Sequence, residues 1–233
     1  MRSLSVVIPL YNEERRLAEG FAGVAALRAR VGFPVEVVWV DDGSGDDTLH
    51  ALKLAVEAGD LLLAEPHRGK GGAVRAGVAR TTGDRVLLVD VDWSVPAAEV
   101  EALLAVDADL VVATREGRGA RRVGEPAWRH WTGRAFNHLV QRAVLPGLED
   151  TQCGCKLLAG PLARDLFGRM RLDGWAFDVE LLALARARGC SIREVAVEWR
   201  YGADTRVRPL RDGVAMAREV WWVRRNVAAG EYR

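Results

Sequence analysis

The feature that most constrains this chain is where its apolar runs stop. Short β-branched runs recur at Leu4–Leu10, Val35–Val40, Leu61–Ala64, Arg85–Val89 and Leu110–Ala113. Their near-continuous apolar character predicts strands covered on both faces. Between them, Glu13–Arg30, Asp46–Ala58, Lys70–Arg80 and Pro96–Ala105 carry apolar residues at helical spacing. This alternation predicts an α/β fold with a mostly parallel central sheet and helices on both faces. In such sheets ligands sit beyond the carboxyl ends of the strands. The first run closes in Pro9-Leu10-Tyr11-Asn12-Glu13, the second in Asp41-Asp42-Gly43-Ser44 and the fourth in Asp90-Val91-Asp92. Each alone reads as turn or cap chemistry. Together they place carboxylates and amides of three strand ends in one crevice.

Asp90 and Asp92 suggest the chemistry of that crevice. Two carboxylates at i and i+2, where a strand ends, can turn toward one hard cation. Mg²⁺ or Mn²⁺ held by one or two carboxylates keeps its other positions for water and substrate phosphates.

Composition narrows the class. The 233 residues are 49% hydrophobic and 28% charged, an ordinary globular mixture. The 33 basic and 32 acidic residues leave a net charge of +1, which speaks against a nucleic-acid partner. Three cysteines point to a reducing compartment, and the Cys153-x-Cys155 pair lacks a second Cys/His pair at ligand spacing. The apolar run at the N-terminus is short for a signal peptide and is closed by Pro9. No stretch approaches the roughly 20 apolar residues that span a bilayer. The expected location is cytoplasmic, at most peripheral on the inner face of a membrane.

The motifs also carry a resemblance. Pro9-x-Tyr11-Asn12-Glu13, Val40-Asp41-Asp42-Gly43-Ser44, Gly69-Lys70-Gly71 and Asp90-x-Asp92 stand in the order and spacing of the inverting glycosyltransferases of family 2. Asp150-Thr151-Gln152-Cys153-Gly154-Cys155-Lys156 and Phe177-Asp178-Val179-Glu180 resemble the dolichyl-phosphate glucosyltransferases and their polyprenyl-phosphate relatives. The similarity runs from about Ser5 to Pro209, and it implies the GT-A fold.

The resemblance also implies roles. Pro9, Tyr11, Asn12 and Glu13 would surround the base and ribose of a nucleotide sugar, with Asp41 and Asp42 at the base edge. Lys70 and its glycine-rich loop would lie near the nucleotide, with His67 where the family carries asparagine. Asp92 would be the principal metal ligand, supported by Asp90 across Val91. Trp93 stands where relatives carry smaller residues and bears on the shape of the sugar pocket. Asp178 is the first candidate for a catalytic base and Asp150 the second. On a helix, Glu180 would point roughly 200° away from Asp178.

An acceptor phosphate needs cations. Arg115, Arg118, Arg121, Arg122, Arg129, Arg134 and Arg142 crowd one segment, interleaved with Trp128 and Trp131. Arg115 and Arg134 match basic family positions, and Lys156 and Arg206 complete the expected acceptor-phosphate set. Asp212–Asn226 reads as a helix rich in arginine and tryptophan, fit either to pack on the body or to lie in a membrane interface. The division that follows is a catalytic domain over 1–209 and an amphipathic helix and tail over 210–233.

The leading expectation is a metal-dependent transfer of a hexose from a nucleotide sugar to a polyprenyl phosphate. UDP-glucose is favoured as donor, with GDP-mannose as the other candidate. One alternative is transfer to a hydroxyl of a soluble or polysaccharide acceptor. The other is a non-catalytic module that binds nucleotide sugar or lipid carrier.

Overall fold

The computed structural model describes residues 3–202 and 209–232, and the side chains at 209–212 lie outside the description. The expected strands form: β1 (Leu4–Leu10), β2 (Val35–Asp41), β3 (Leu61–Ala64), β4 (Arg85–Leu88) and β5 (Leu110–Thr114). Later come β6 (Arg121–Val123), β7 (Lys156–Ala159), β8 (Ile192–Ala196) and β9 (Glu198–Arg200). The helices are α1 (Leu17–Arg30), α2 (Thr48–Ala55), α3 (Lys70–Val78) and α4 (Ala97–Leu104) in the first half. The second half adds α5 (Ala127–Ala143), α6 (Gly160–Arg169), α7 (Phe177–Ala187) and α8 (Pro209–Ala229). The first helical pattern splits, because Glu14–Arg16 is a 3-10 turn before α1.

Seven strands make one sheet in the order β3-β2-β1-β4-β7-β5-β8. All neighbours are parallel except β7, which runs antiparallel to both β4 and β5. β7 therefore holds the two halves together, with Lys156 paired to Leu88 on one side and Val112 on the other. A separate parallel pair, β6 with β9, stands beyond the end of β5.

Strand period two divides the core. Val7, Val38, Val86 and Leu158 face one side and pack under α3, α6 and α7. Val6, Val37, Leu87 and Leu157 face the other and pack under α1 and α4. The α8 helix adds Val220 and Val223 to the first cluster, and Tyr232 closes it. It begins three residues before the expected Asp212 and ends three after Asn226.

One close approach sets the α1–α4 side. Trp93 has a positive φ of 44°, is 7% exposed, and donates from Nε1 to the carbonyl of Gly20 at 3.2 Å. Its indole lies flat against α1, and a Cβ on Gly23 would come within 2.2 Å of it. Trp93 thus fills the core rather than shaping a sugar pocket. Overpacking at Gly23 should outweigh the gain in helix propensity, whereas Gly168 in α6 has open space around it. Gly23→Ala is expected to lower Tm by roughly 2–8 °C, and Gly168→Ala to hold it or raise it by about 2 °C, in a thermal melt.

Candidate active site

A crevice of about 950 Å³ opens beyond the carboxyl ends of β1, β2 and β4, where Pro9, Asp42, Asp90 and Asp92 meet Arg115 and Asp178 from the second half. That volume suits a nucleotide sugar.

At one end the β1 and β2 loops are tied together. Asn12 takes the left-handed conformation, φ 55°, which asparagine tolerates better than most residues. Its amide donates to Ser44 Oγ at 2.8 Å and its Oδ1 accepts from the Gly45 amide at 2.7 Å. Glu13 is buried, and both its oxygens are taken by Arg16 at 2.6 Å. Asn12 and Glu13 therefore brace the loops while still lining the crevice beside Pro9, Leu10 and Tyr11. The Tyr11 ring stacks on His67 with centroids 4.1 Å apart.

The two aspartates that end β2 part company. Asp42 lines the crevice and accepts from the amides of Arg68 and Gly69, both at 2.9 Å, with His67 Nδ1 at 2.8 Å. Asp41 does not line it. Its Oδ2 accepts from the Ser44 amide at 3.1 Å, and its buried Oδ1 has no partner among the described residues.

Beyond β4, Asp90 and Asp92 both reach the crevice across Val91. Asp90 Oδ1 meets Lys70 Nζ at 2.6 Å, at the first position of α3. Burial works against both charges and their pairing overrides it, so Lys70 lies above and Asp90 below the ordinary range. Asp92 Oδ1 accepts from the Ser94 amide at 3.0 Å, and Arg16 stands 3.4 Å from Oδ2. Gly154 makes room for the pair, since a Cβ there would lie 2.2 Å from Asp90 Oδ2. Among the described residues no three His, Cys, Asp or Glu side chains gather around a point. Two adjoining carboxylates beside a crevice fit Mg²⁺ or Mn²⁺ that completes its shell from phosphate and water.

The second half supplies charge in pairs. Arg115 grips Asp150 through Nε at 2.7 Å and Nη2 at 2.9 Å, and its guanidinium sits 5.3 Å from the Trp199 ring. Burial raises the Asp150 carboxyl, but the Arg115 guanidinium overrides it and holds the group far below the usual range. Arg122 ties Glu116 at 2.6 Å to Glu125 at 2.7 Å. Arg134 is half exposed, stands outside the crevice lining, and reaches Glu116 at 2.9 Å.

Asp178, in the first turn of α7, lines the crevice. Its Oδ1 accepts from Lys156 Nζ at 2.6 Å, and Lys156 also donates to the Cys153 carbonyl at 2.6 Å. Lys156 is fully buried, so it cannot meet an acceptor phosphate as expected; it sits beneath Asp178 instead. Burial pushes the Asp178 carboxyl up, against the pull of that ammonium. Glu180 turns away, accepting from the Arg171 and Leu172 amides and from the Tyr232 hydroxyl. Arg206 lies outside the described residues.

Counting arginines missed the acids set among them. Glu116 and Glu125 carry the network, and only their spacing near Arg122 hinted at it. Trp175, whose ring Lys70 Nζ approaches to 5.7 Å, was legible as a neighbour of Asp178.

Known proteins share this architecture. Residues 5–167 match glycosyl transferase family 2. The dolichyl-phosphate beta-glucosyltransferase of Mus musculus is 32% identical over 252 residues, covering 100% of this chain and 78% of that protein. That of Saccharomyces cerevisiae is 29% identical over 255 residues, covering 99% and 76%. Among solved structures, glucosyl-3-phosphoglycerate synthase from Mycobacterium tuberculosis, in complex with Mn²⁺, UDP and phosphoglyceric acid, superposes with a TM-score of 0.69. It is 23% identical, over 95% of this chain and 77% of that one. Mannosyl-3-phosphoglycerate synthase from Rubrobacter xylanophilus gives 0.67 at 20% identity, over 99% and 75%. These likenesses place the sheet in the GT-A fold. Matched by the family over most of its length and by whole transferases over nearly all of it, the chain belongs to glycosyl transferase family 2.

Proposed function

We propose that this transferase moves glucose from UDP-glucose to the phosphate of a polyprenyl, dolichyl-like lipid, with Mg²⁺ or Mn²⁺ held by Asp92 and Asp90. The observation that carries the reading is the crevice itself. Its lining brings the Asp90 and Asp92 carboxylates, each already met by a cation of this chain, together with the Tyr11 ring and with Arg115 and Trp199. Relatives named for glucosyl transfer to dolichyl phosphate match the full chain, and a GT-A neighbour was crystallised with Mn²⁺ and UDP-glucose.

Pro9 and Tyr11 would receive the base, and Asp42 and Lys70 would flank the nucleotide. A divalent ion bound at Asp92 and Asp90 would neutralise the diphosphate leaving group. The acceptor phosphate has a second pKa of about 6 and is already a dianion at neutral pH. Its oxygen attacks the anomeric carbon from the face opposite UDP. The bond from that carbon to UDP breaks with its electron pair going to UDP, so the configuration inverts and no proton moves.

That balance supports one division of labour among the carboxylates. Asp150 is spent on Arg115 and serves as its anchor. Asp178 needs no proton from a dianion, and over Lys156 it acts as a fixed negative wall beside the sugar. Arg115 and Arg134, with Arg206 from the segment beyond the described residues, would supply positive charge to the acceptor.

The lipid would approach over α5 and α8, which pack together. Trp128 and Trp131 on α5 and Trp221 on α8 are 57%, 68% and 62% exposed, whereas Trp222 packs against the core. Among the described residues no helix is long and apolar enough to cross a membrane. The proposed placement is therefore peripheral, at the cytoplasmic face, with α8 serving as interface helix to a catalytic domain ending near 209.

Purified protein assayed with Mg²⁺ or Mn²⁺, a panel including UDP-glucose and GDP-mannose, and polyprenyl phosphate in detergent tests the reading. Transfer to a hydroxyl acceptor but to no phosphate would overturn it. Asp92→Asn should cut kcat/KM by about 10²–10³ while Tm moves by no more than about 1 °C. Arg134→Ala should raise the acceptor KM by about three- to tenfold, a contact discounted for its exposure, and leave the donor KM unchanged. Replacing Trp128, Trp131 and Trp221 together with alanine should weaken liposome sedimentation yet spare turnover on a short, soluble prenyl phosphate.

A further inference from the structure

Glu116 stands where the acceptor phosphate is wanted. Its Oε1 accepts from Arg122 Nη2 at 2.6 Å and its Oε2 from Arg134 Nη1 at 2.9 Å. It lines the crevice beside Arg115, and its side chain is 14% exposed. Arg122 is steadied from behind: Nε donates to the Arg115 carbonyl at 3.1 Å and Nη1 meets Glu125 at 2.7 Å. Two guanidinium groups, each giving one nitrogen to a different oxygen of one carboxylate, form an arrangement that would equally hold two oxygens of a phosphate. Among the described residues, each of Arg115, Arg122 and Arg134 is already committed to an acid of this chain.

We propose that Glu116 is an internal competitor for the acceptor's phosphate, and that the exchange between them drives product release. The inference rests on the phosphate-acceptor reading above. An incoming monoester brings two negative charges against the one of Glu116 and displaces it from Arg122 and Arg134. Transfer then converts the monoester dianion into a sugar phosphodiester with a single charge, the second having left on UDP. The diester holds the arginines no more strongly than a carboxylate tethered a few bonds away, so Glu116 retakes them. Glu116 therefore weakens substrate and product binding by the same factor, and the singly charged product, which holds the arginines less tightly to begin with, is the one that falls below retention. A neutral hydroxyl acceptor has no means to open the pair.

The test uses the full-length enzyme, a short prenyl phosphate as acceptor, and its methyl diester as a stand-in for the singly charged product. In Glu116→Gln the acceptor KM and the inhibition constant of the diester should both fall, by about three- to tenfold, with the donor KM unchanged. Progress curves should bend earlier, as product accumulates on the enzyme. A residue that merely braces the loop would move both constants upward when replaced. Rising or unchanged constants in a variant with wild-type Tm would overturn the proposal. Should Glu116→Gln fold poorly, calorimetry on the wild-type protein decides. There the dianion should bind at least about tenfold tighter than the diester, and equal binding would overturn the charge exchange. Wild-type enzyme that transfers to no phosphate acceptor would instead refute the acceptor reading, an outcome distinct from active wild type with an indifferent Glu116→Gln.

Discussion

A lysine ammonium with no access to solvent holds the two halves of this molecule in register. Lys156 belongs to β7, the one antiparallel strand of the main sheet, and β7 separates β4 from β5. The strand at one side leads to Asp90 and Asp92, and the strand at the other leads to Arg115. Burying such a charge costs several kcal/mol even after relaxation, and only a well-made set of partners offsets it. The partners are Asp178 and the Cys153 carbonyl, each at 2.6 Å. An apolar residue at Lys156 alone would strand the buried Asp178 carboxylate, whereas apolar side chains of the same volume at both positions would stabilise about as much. What the ion pair adds is position: it fixes α7 over β7 and sets Asp178 at the wall of the crevice.

The same economy recurs around the crevice, where charges are held by other charges. Asp90 is met by Lys70, Asp150 by Arg115, Glu13 by Arg16, and Glu116 by Arg122 and Arg134. A site lined by unpaired ions would repel itself and invite water. Paired ions keep the walls in place while leaving each charge available to a ligand that bids higher. Under the proposed function a diphosphate with its metal ion would be such a ligand, and so would a phosphate dianion.

Much of this was legible in the residues. The first five strands announced themselves because both of their faces are buried, so apolar side chains follow one another without interruption. Their ends announced the crevice, because Asp42, Asp90 and Asp92, each readable alone as turn or cap chemistry, gather at one edge once the runs form a parallel sheet. β7 was hidden for the converse reason. Lys-Leu-Leu-Ala is four residues long and contains a lysine, and a lysine inside a central strand defeats any reading by apolar pattern. Lys156 therefore looks like one more cation for an acceptor phosphate, and only the fold shows that it is buried. Trp93 misled in a similar way. Its position after Asp92 suggests the pocket, yet the space that receives it is made by Gly23 on α1, some seventy residues earlier, where the Gly20 carbonyl accepts its indole N–H.

The arginine-rich segment shows where sequence reading stops. Seven arginines between 115 and 142 look like a standing positive field. Among the described residues the fold closes four of them, Arg115, Arg121, Arg122 and Arg134, into pairs with acids of this chain, with Glu116 and Glu125 in reach of Arg122 beside the β6–β9 pair. Positive charge in such a segment is therefore conditional. It is presented only to a ligand able to outbid a carboxylate already seated, and a carboxylate carries one charge. Under the proposed acceptor the site would rank ligands by charge before shape, so that a phosphate monoester would gain entry and a diester of the same size would leave as the Glu116 side chain returns.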